Sequence, residues 1–438
     1  MNKTVLLALA MFAGVGSGQW YETTVPADSQ PCALCHNQQD DYVYCANWGG
    51  DNVTVIDGAT NAVVTTITTG DQARAVIYSP TNNKVFCLNE GVRNVSVIDG
   101  ATNVVVATET LGTRPWDGLL CPANTKLYII GRSPNRVVVL NAETYAIDAT
   151  VALPAGPYGI CYDSTDNRVY VATRDDSTVR AIDCATNTIV ATIGVGPAPN
   201  KLCWNSRENK VYTATAEALD STVAIIDCAS NTVVATLKPG RYPHRVGYDP
   251  AASRVYVACY SGNVIAVIDG ATNAIVSTVQ SGSSPHGFCV VPEHGLVFAA
   301  VHNDTVLVFD AASSSIVARV GVNGGSPEWL VYNPTDDRVY ATNYYHASVA
   351  ILRASSGVLE QPRAGLHPSG AATVVRGALS LQLPAYGLRQ EAALLDAAGR
   401  KVMDLAPGPN DVRGLAPGIY FLRGASGAGR VSKVVVTR

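Results

Sequence analysis

Two sets of residues in this 438-residue sequence have the types and spacing for chemistry. Cys32-Ala33-Leu34-Cys35-His36 is a C-x-x-C-H run. In c-type haem proteins the two thiols of such a run bond the vinyl groups and the imidazole ligates the iron. His244, His286 and Glu328 form the second set, two imidazoles and a carboxylate that suit a divalent metal with open coordination positions. Trp116 and Tyr158 either offer aromatic faces for a sugar or peptide or pack against their surroundings. The chain contains no G-x-S-x-G, Walker loop or H-E-x-x-H motif.

The elements that must position these residues belong to a repeat. A V-x-V-I-D string recurs about every 42 residues, ending at Asp57, Asp99, Asn141, Asp183, Asp227, Asp269, Asp310 and Arg353. Each period holds four strand signals, here A to D. Strand A follows Gly-x-x-Pro, as in Tyr158 to Tyr162. Strand B is Val-Tyr-like, as in Arg168 to Ala172. Strand C is the V-x-V-I-D string, and strand D is of the Ile189 to Ile193 type. Four strands per such period make one propeller blade. Tyr44, Phe86, Tyr128, Tyr170, Tyr212, Tyr256, Phe298 and Tyr340 share the third place of strand B and give eight copies. The last repeat lacks a clear D strand. One period before Val64 to Thr68 lies the D-like Glu22-Thr23-Thr24-Val25-Pro26, so Trp20 to Ala27 is expected to complete the last blade. The fold expected is an all-β, eight-bladed propeller, seven blades being the alternative, closed by an N-terminal outer strand.

The register reinterprets the chemistry. Cys35 falls opposite Cys161, Cys203 and Cys289, and His36 opposite Tyr78, Tyr162 and Trp204. The C-x-x-C-H run therefore reads as an ordinary strand A with little room for a macrocycle, and c-type haem at Cys32, Cys35 and His36 is disfavoured. The eleven cysteines read as small apolar fillers with few or no disulfides. The residue after the repeat's proline should lie at the channel mouth, where loops over a rigid ring bind ligands. It is Cys32, Arg74, Trp116, Tyr158, Asn200, His244, His286 and Glu328 across the eight repeats. The B–C turns add Trp48, Arg132, Arg174, Tyr260, His302, Tyr344, Tyr345 and His346 on the same face. The repeated Asp at the end of strand C reads as a cap of the following turn rather than as a calcium ligand.

Val339-Tyr340-Ala341-Thr342-Asn343, Ser348 to Ile351 and Val223 to Thr236 resemble the YVTN-repeat family of β-propellers. The resemblance implies the propeller fold and an exported, surface-layer-like setting, and less about function, since that family holds scaffolds, adhesins and binding proteins. Past the propeller (19–361) a linker (362–373) rich in Ala, Gly, Ser and Pro leads to residues 374–438, which carry short alternating strands expected to form an Ig-like β-sandwich. Leu394-Leu395-Asp396, Gly399 to Val402, Gly414-Leu415-Ala416-Pro417-Gly418-Ile419-Tyr420-Phe421 and Lys433 to Val436 resemble the type IX secretion sorting domain. That resemblance implies the type IX machinery as partner and release or anchoring at the outer cell surface. Residues 1–18, with Lys3, the apolar run Val5 to Val15 and Gly16-Ser17-Gly18, read as a signal peptide.

Charged residues are only 15% of the chain and the formal net charge is -4, so an electrostatic nucleic-acid binder is not expected. No other apolar run is long enough to span a membrane. The favoured reading is a non-catalytic scaffold, exported and at the cell surface or released, that binds a protein, glycan or other polymer with no cofactor. One alternative is a lyase or lactonase-like hydrolase with a metal or acid–base site at His244, His286 and Glu328. Another is electron transfer through haem.

Overall fold

Strands B and C of each repeat are near-continuous apolar runs, and such strands must be covered on both faces. A computed structural model of the chain shows how. It describes residues 20–216 and 221–355, together with Thr373–Val375, Ala378–Leu381, Ala392–Leu395, Lys401–Leu405, Gly408–Asp411, Gly418–Arg423 and Val431–Val436. Eight four-stranded antiparallel sheets form the blades, each ordered A-B-C-D. In blade 1 these are Pro31–Asn37, Tyr42–Asn47, Asn52–Asp57 and Val63–Thr68. Strands B and C are almost wholly buried, whereas strand D alternates exposed and half-buried residues, as in Val104–Thr110. The core is a set of clusters between adjacent blades, such as Tyr170, Val179 and Ile193 against Val211 and Ile226.

Eight blades are present, not seven. The ring closes as expected: Tyr21–Pro26 pairs antiparallel with Ser348–Arg353, with Thr24 opposite Ala350, and supplies the D strand of blade 8. Glu22 holds Arg338 of that blade through two hydrogen bonds, 2.9 and 3.0 Å. Arg338 also donates to the carbonyl of Gly58 in blade 1 (2.5 Å).

The repeated aromatic of strand B is fully buried in all eight blades. In five of them a tyrosine hydroxyl bonds the C–D turn of the next blade. Tyr128 bonds Asn187 Oδ1 (2.9 Å), Tyr170 bonds Asn231 Oδ1 (3.0 Å) and Tyr340 bonds Asn61 Oδ1 (3.1 Å). The turn asparagines are left-handed, with φ of 56°, 53° and 59°, which asparagine tolerates better than most residues. The repeated aspartates cap these turns. Asp57 Oδ1 accepts from the amide and hydroxyl of Thr60 (2.7 and 2.6 Å), and Asp99, Asp183, Asp227, Asp269 and Asp310 do the same.

The chain divides into two compact units, Met1–Leu359 and Glu360–Arg438. In the second, Thr373–Val375, Val431–Val436, Gly418–Arg423, Ala392–Leu395 and Lys401–Leu405 form one sheet in that order, and Ala378–Leu381 pairs with Gly408–Asp411. Residues 1–18, nearly all of the linker, and Gly414 to Pro417 of the sorting-domain resemblance lie outside the described residues. No helix among the described residues is long and apolar enough to cross a membrane.

Candidate functional site

Strand A lines the channel, and its start is irregular in every blade. The pairing register shifts between Pro31 and Ala33, Pro115 and Asp117, Pro157 and Gly159, and Pro243 and Arg245. In blades 5, 7 and 8 the shift is one residue wider, from Pro199 to Leu202, Pro285 to Phe288 and Pro327 to Leu330. A bulge of this kind leaves one residue out of the ladder and re-aims its side chain. The residue after the proline is therefore freed from pairing, and in blades 5, 7 and 8 the next one is freed with it.

These residues open onto a cavity of about 690 Å³ at the channel mouth. It is lined by Cys32, Arg74, Trp116, Tyr158, His244, His286 and Glu328, so seven of the eight residues in that register meet there. Asn200 is buried and does not line it. Trp48, Tyr260, His302, Tyr344 and Tyr345 of the B–C turns also face the cavity.

One side is a wall of guanidinium and aromatic groups. Arg74 Cζ lies 3.4 Å and Arg132 Cζ 3.8 Å from the Trp116 ring centroid, while Arg132 and Arg174 lie 4.4 and 5.1 Å from that of Tyr158. Such cation–π contacts hold the arginines in place, and Arg74 Nε and Arg132 Nε also donate to the Trp116 and Pro157 carbonyls. The rings are covered by guanidinium groups, so Trp116 and Tyr158 pack the channel mouth, one of the two roles the sequence leaves open. Arg74 also pairs with Glu90 (3.4 Å), which is shared with Arg114 (2.8 Å).

The other side gathers imidazoles. The His244 and His286 rings are 4.8 Å apart and tilted, whereas His286 and His302 stack at 4.6 Å and 15°. Burial, reinforced by Arg245 and Lys201, pushes His244 down to about 3 and His286 well below the usual range, so both rings are neutral. Burial also lowers His302 and raises Glu328, against the pull of Arg245 and Arg74. The metal set expected from sequence changes by one member. The structure brings His286 and Glu328 together with His302, in place of His244, with one ligand atom from each within 4.8 Å of the others.

Sequence reasoning missed the second residue after the proline. Asp117, Lys201, Arg245 and Trp329 occupy that place and line the cavity, where other blades carry Ala33, Ala75, Gly159 and Gly287. The signal was in the repeat, as large charged residues at a place otherwise small. Lys201 pairs with Asp117 (2.5 Å). Arg245 makes no ion pair among the described residues. Its Nε is buried without a partner, and its guanidinium lies 4.7 Å from the Trp329 ring centroid.

The C-x-x-C-H residues lie along strand A of blade 1, with Cys32 and Cys35 against one apolar cluster. Cys32 faces the mouth and its thiol donates to the carbonyl of Arg74 in the next blade (3.2 Å). Cys35 packs in the cluster of Tyr44, Val76 and Cys87. His36 Nε2 is engaged with Asp41 Oδ1 (3.0 Å). Desolvation pushes the Cys32 thiol up to about 12 and raises Cys35 as well. All eleven cysteines are unpaired.

No family model and no curated protein matches this chain. Its fold is similar to several solved structures. One is the dihydro-heme d1 dehydrogenase NirN in complex with DHE (15% identity, TM-score 0.58), the match covering 67% of this chain and 66% of that one. The hydrazine synthase of Kuenenia stuttgartiensis matches at 16% identity and TM-score 0.52, over 76% of this chain and 99% of its own. The Cps50 (Swd1) β-propeller domain of Myceliophteria thermophila matches at 11% identity and TM-score 0.54, over 77% and 100%. At such identities the likeness extends to fold alone, and the fold is that of an eight-bladed β-propeller.

Proposed function

We propose that the chain is an exported propeller that binds an anionic segment of a polymer, glycan or protein, at its channel mouth without chemistry. The observation that carries this reading is the group of cations gathered at the mouth. Arg74, Lys201 and Arg245 face the cavity, with Arg132 and Arg174 stacked behind them, in a chain whose net charge is -4. Glu90, Asp117 and Glu328 also line the cavity and offset part of that charge, and Arg245 is left without an ion pair among the described residues. A buried guanidinium without an anion is costly, and a carboxylate, sulfate or phosphate on a ligand supplies the partner. Export is supported by the Lys3 to Gly18 pattern, by the YVTN-like repeat and by the sorting-domain resemblance around Gly414 to Phe421.

Immobilised protein should retain alginate or polyglutamate and release neutral dextran, and Arg245→Ala should weaken retention by tenfold or more, about 1.4 kcal/mol. Equal retention of dextran, or no loss in the variant, would sink the reading. Deleting residues 374–438 should leave the protein inside the cell that makes it.

A further inference from the structure

We propose that His286, His302 and Glu328 bind a first-row divalent transition-metal ion, with open coordination positions facing the channel mouth. His286 comes from strand A of blade 7 and His302 from the B–C turn of the same blade, while Glu328 comes from strand A of blade 8. Their ligand atoms already lie within 4.8 Å of one another. Metal bonds of about 2.1 Å require only modest side-chain rotation from there.

Two further observations point to an ion. His286 is 8% exposed and its Nδ1 has no hydrogen-bond partner, and His302 Nε2 is likewise buried and unbonded. A buried polar atom left unpaired is destabilising unless something occupies it. His302 also has the outer partner a metal-binding imidazole needs. Its Nδ1 is 3.4 Å from Tyr260 Oη, while its Nε2 points to Glu328 Oε1 at 3.7 Å. With an ion on Nε2, Nδ1–H donates to the Tyr260 oxygen and fixes the ring. The stack of His286 on His302 holds the two rings side by side. Gly287 lets Glu328 come this close, because a Cβ there would sit 2.5 Å from the Glu328 carbonyl oxygen.

Two nitrogens and one carboxylate oxygen favour zinc, cobalt, nickel or iron over magnesium or calcium, which require mostly oxygen ligands. Three protein ligands leave a position for another group, as in catalytic metal centres. If the anionic ligand inferred above is correct, it would complete the shell from the Arg245 side. The metal site itself does not depend on that.

The test is titration of the full-length, chelator-stripped protein with Zn²⁺ alone by calorimetry, and with Co²⁺ alone by visible absorption. Near-stoichiometric binding is expected, lost in His302→Ala and Glu328→Gln and kept in His244→Ala and His294→Ala. Tyr260→Phe should weaken binding by about tenfold. Each variant is first shown to melt as the parent does, and the conservative Glu328→Gln keeps the test open should His302→Ala fail to fold. Absence of stoichiometric binding, or a loss in His244→Ala equal to that in His302→Ala, would overturn the proposal. Binding of anionic polymers is measured separately in Arg245→Ala, so the two readings can fail independently.

Discussion

The inter-blade tyrosine shows how a single hydroxyl is used in five of the eight blades and where it is dropped. Tyr170 donates to Asn231 Oδ1 at 3.0 Å and lies 3.4 Å from the Cys228 carbonyl. Where strand B carries Phe86, the facing turn carries Tyr145 in place of asparagine, and the two rings meet edge-on at 6.2 Å. Where it carries Phe298, Trp20 of the closing strand fills the space at 5.9 Å. Tyr170→Phe should cost about 1 kcal/mol. Phe86→Tyr alone should destabilise by burying an unpaired hydroxyl, and adding Tyr145→Asn should recover much of the loss. Urea melts of the singles and the double measure that coupling.

The seam between blades 8 and 1 supplies a pH test at the same scale. The Asp41 carboxyl, hydrogen-bonded to Asp336, pushes Asp336 up to about 6. A raised carboxyl gives its stability at low pH and loses it as pH climbs from the unfolded value of 3.8 through 6. Asp336→Asn should therefore raise the melting temperature more at about pH 7.5 than at about pH 4. Equal shifts at both values would show that the carboxyls do not share a proton.

At the scale of the element, the closing strand carries the most consequence per residue. Tyr21–Pro26 pairs with Ser348–Arg353, and without it that strand would be an exposed edge. The Glu22–Arg338 pair joins the closing strand to strand B of blade 8, and Arg338 goes on to the turn of blade 1. Both side chains are mostly buried, so the pair is not a screened surface bridge. Glu22→Gln should cost about 2 kcal/mol, read as a lower melting temperature. The bulge in strand A is the second consequential element, since it turns one residue per blade toward the channel.

For the whole molecule, what matters is how charge is distributed around the ring. A chain of net charge -4 concentrates Arg74, Arg132, Arg174, Lys201 and Arg245 around one cavity. Glu90, Asp117 and Glu328 share that lining, so the field at the mouth is set by the balance between the two groups. Association of alginate or polyglutamate should slow as ionic strength rises through about 0.1 M, where the screening length falls to about 10 Å. A rate indifferent to salt would mean that the mouth does not steer its ligand.

The repeat period, the aromatic of strand B, the capped turn after strand C and the closing strand at Glu22 to Pro26 were all legible in the sequence. Each is a local pattern that the blade copies, and copying makes a pattern readable. The ring of residues after the proline was legible for the same reason. Only the tertiary structure decided which of them meet. His244 and His286 are repeat equivalents, so the spacing of blades sets their separation. His302 reaches His286 across its own blade, and Gly287 admits Glu328 from the next. Register fixes a residue's height in the ring, but the bulge sets the direction of its side chain. For that reason the sequence placed Trp116 at the mouth, and the fold alone put guanidinium groups over it.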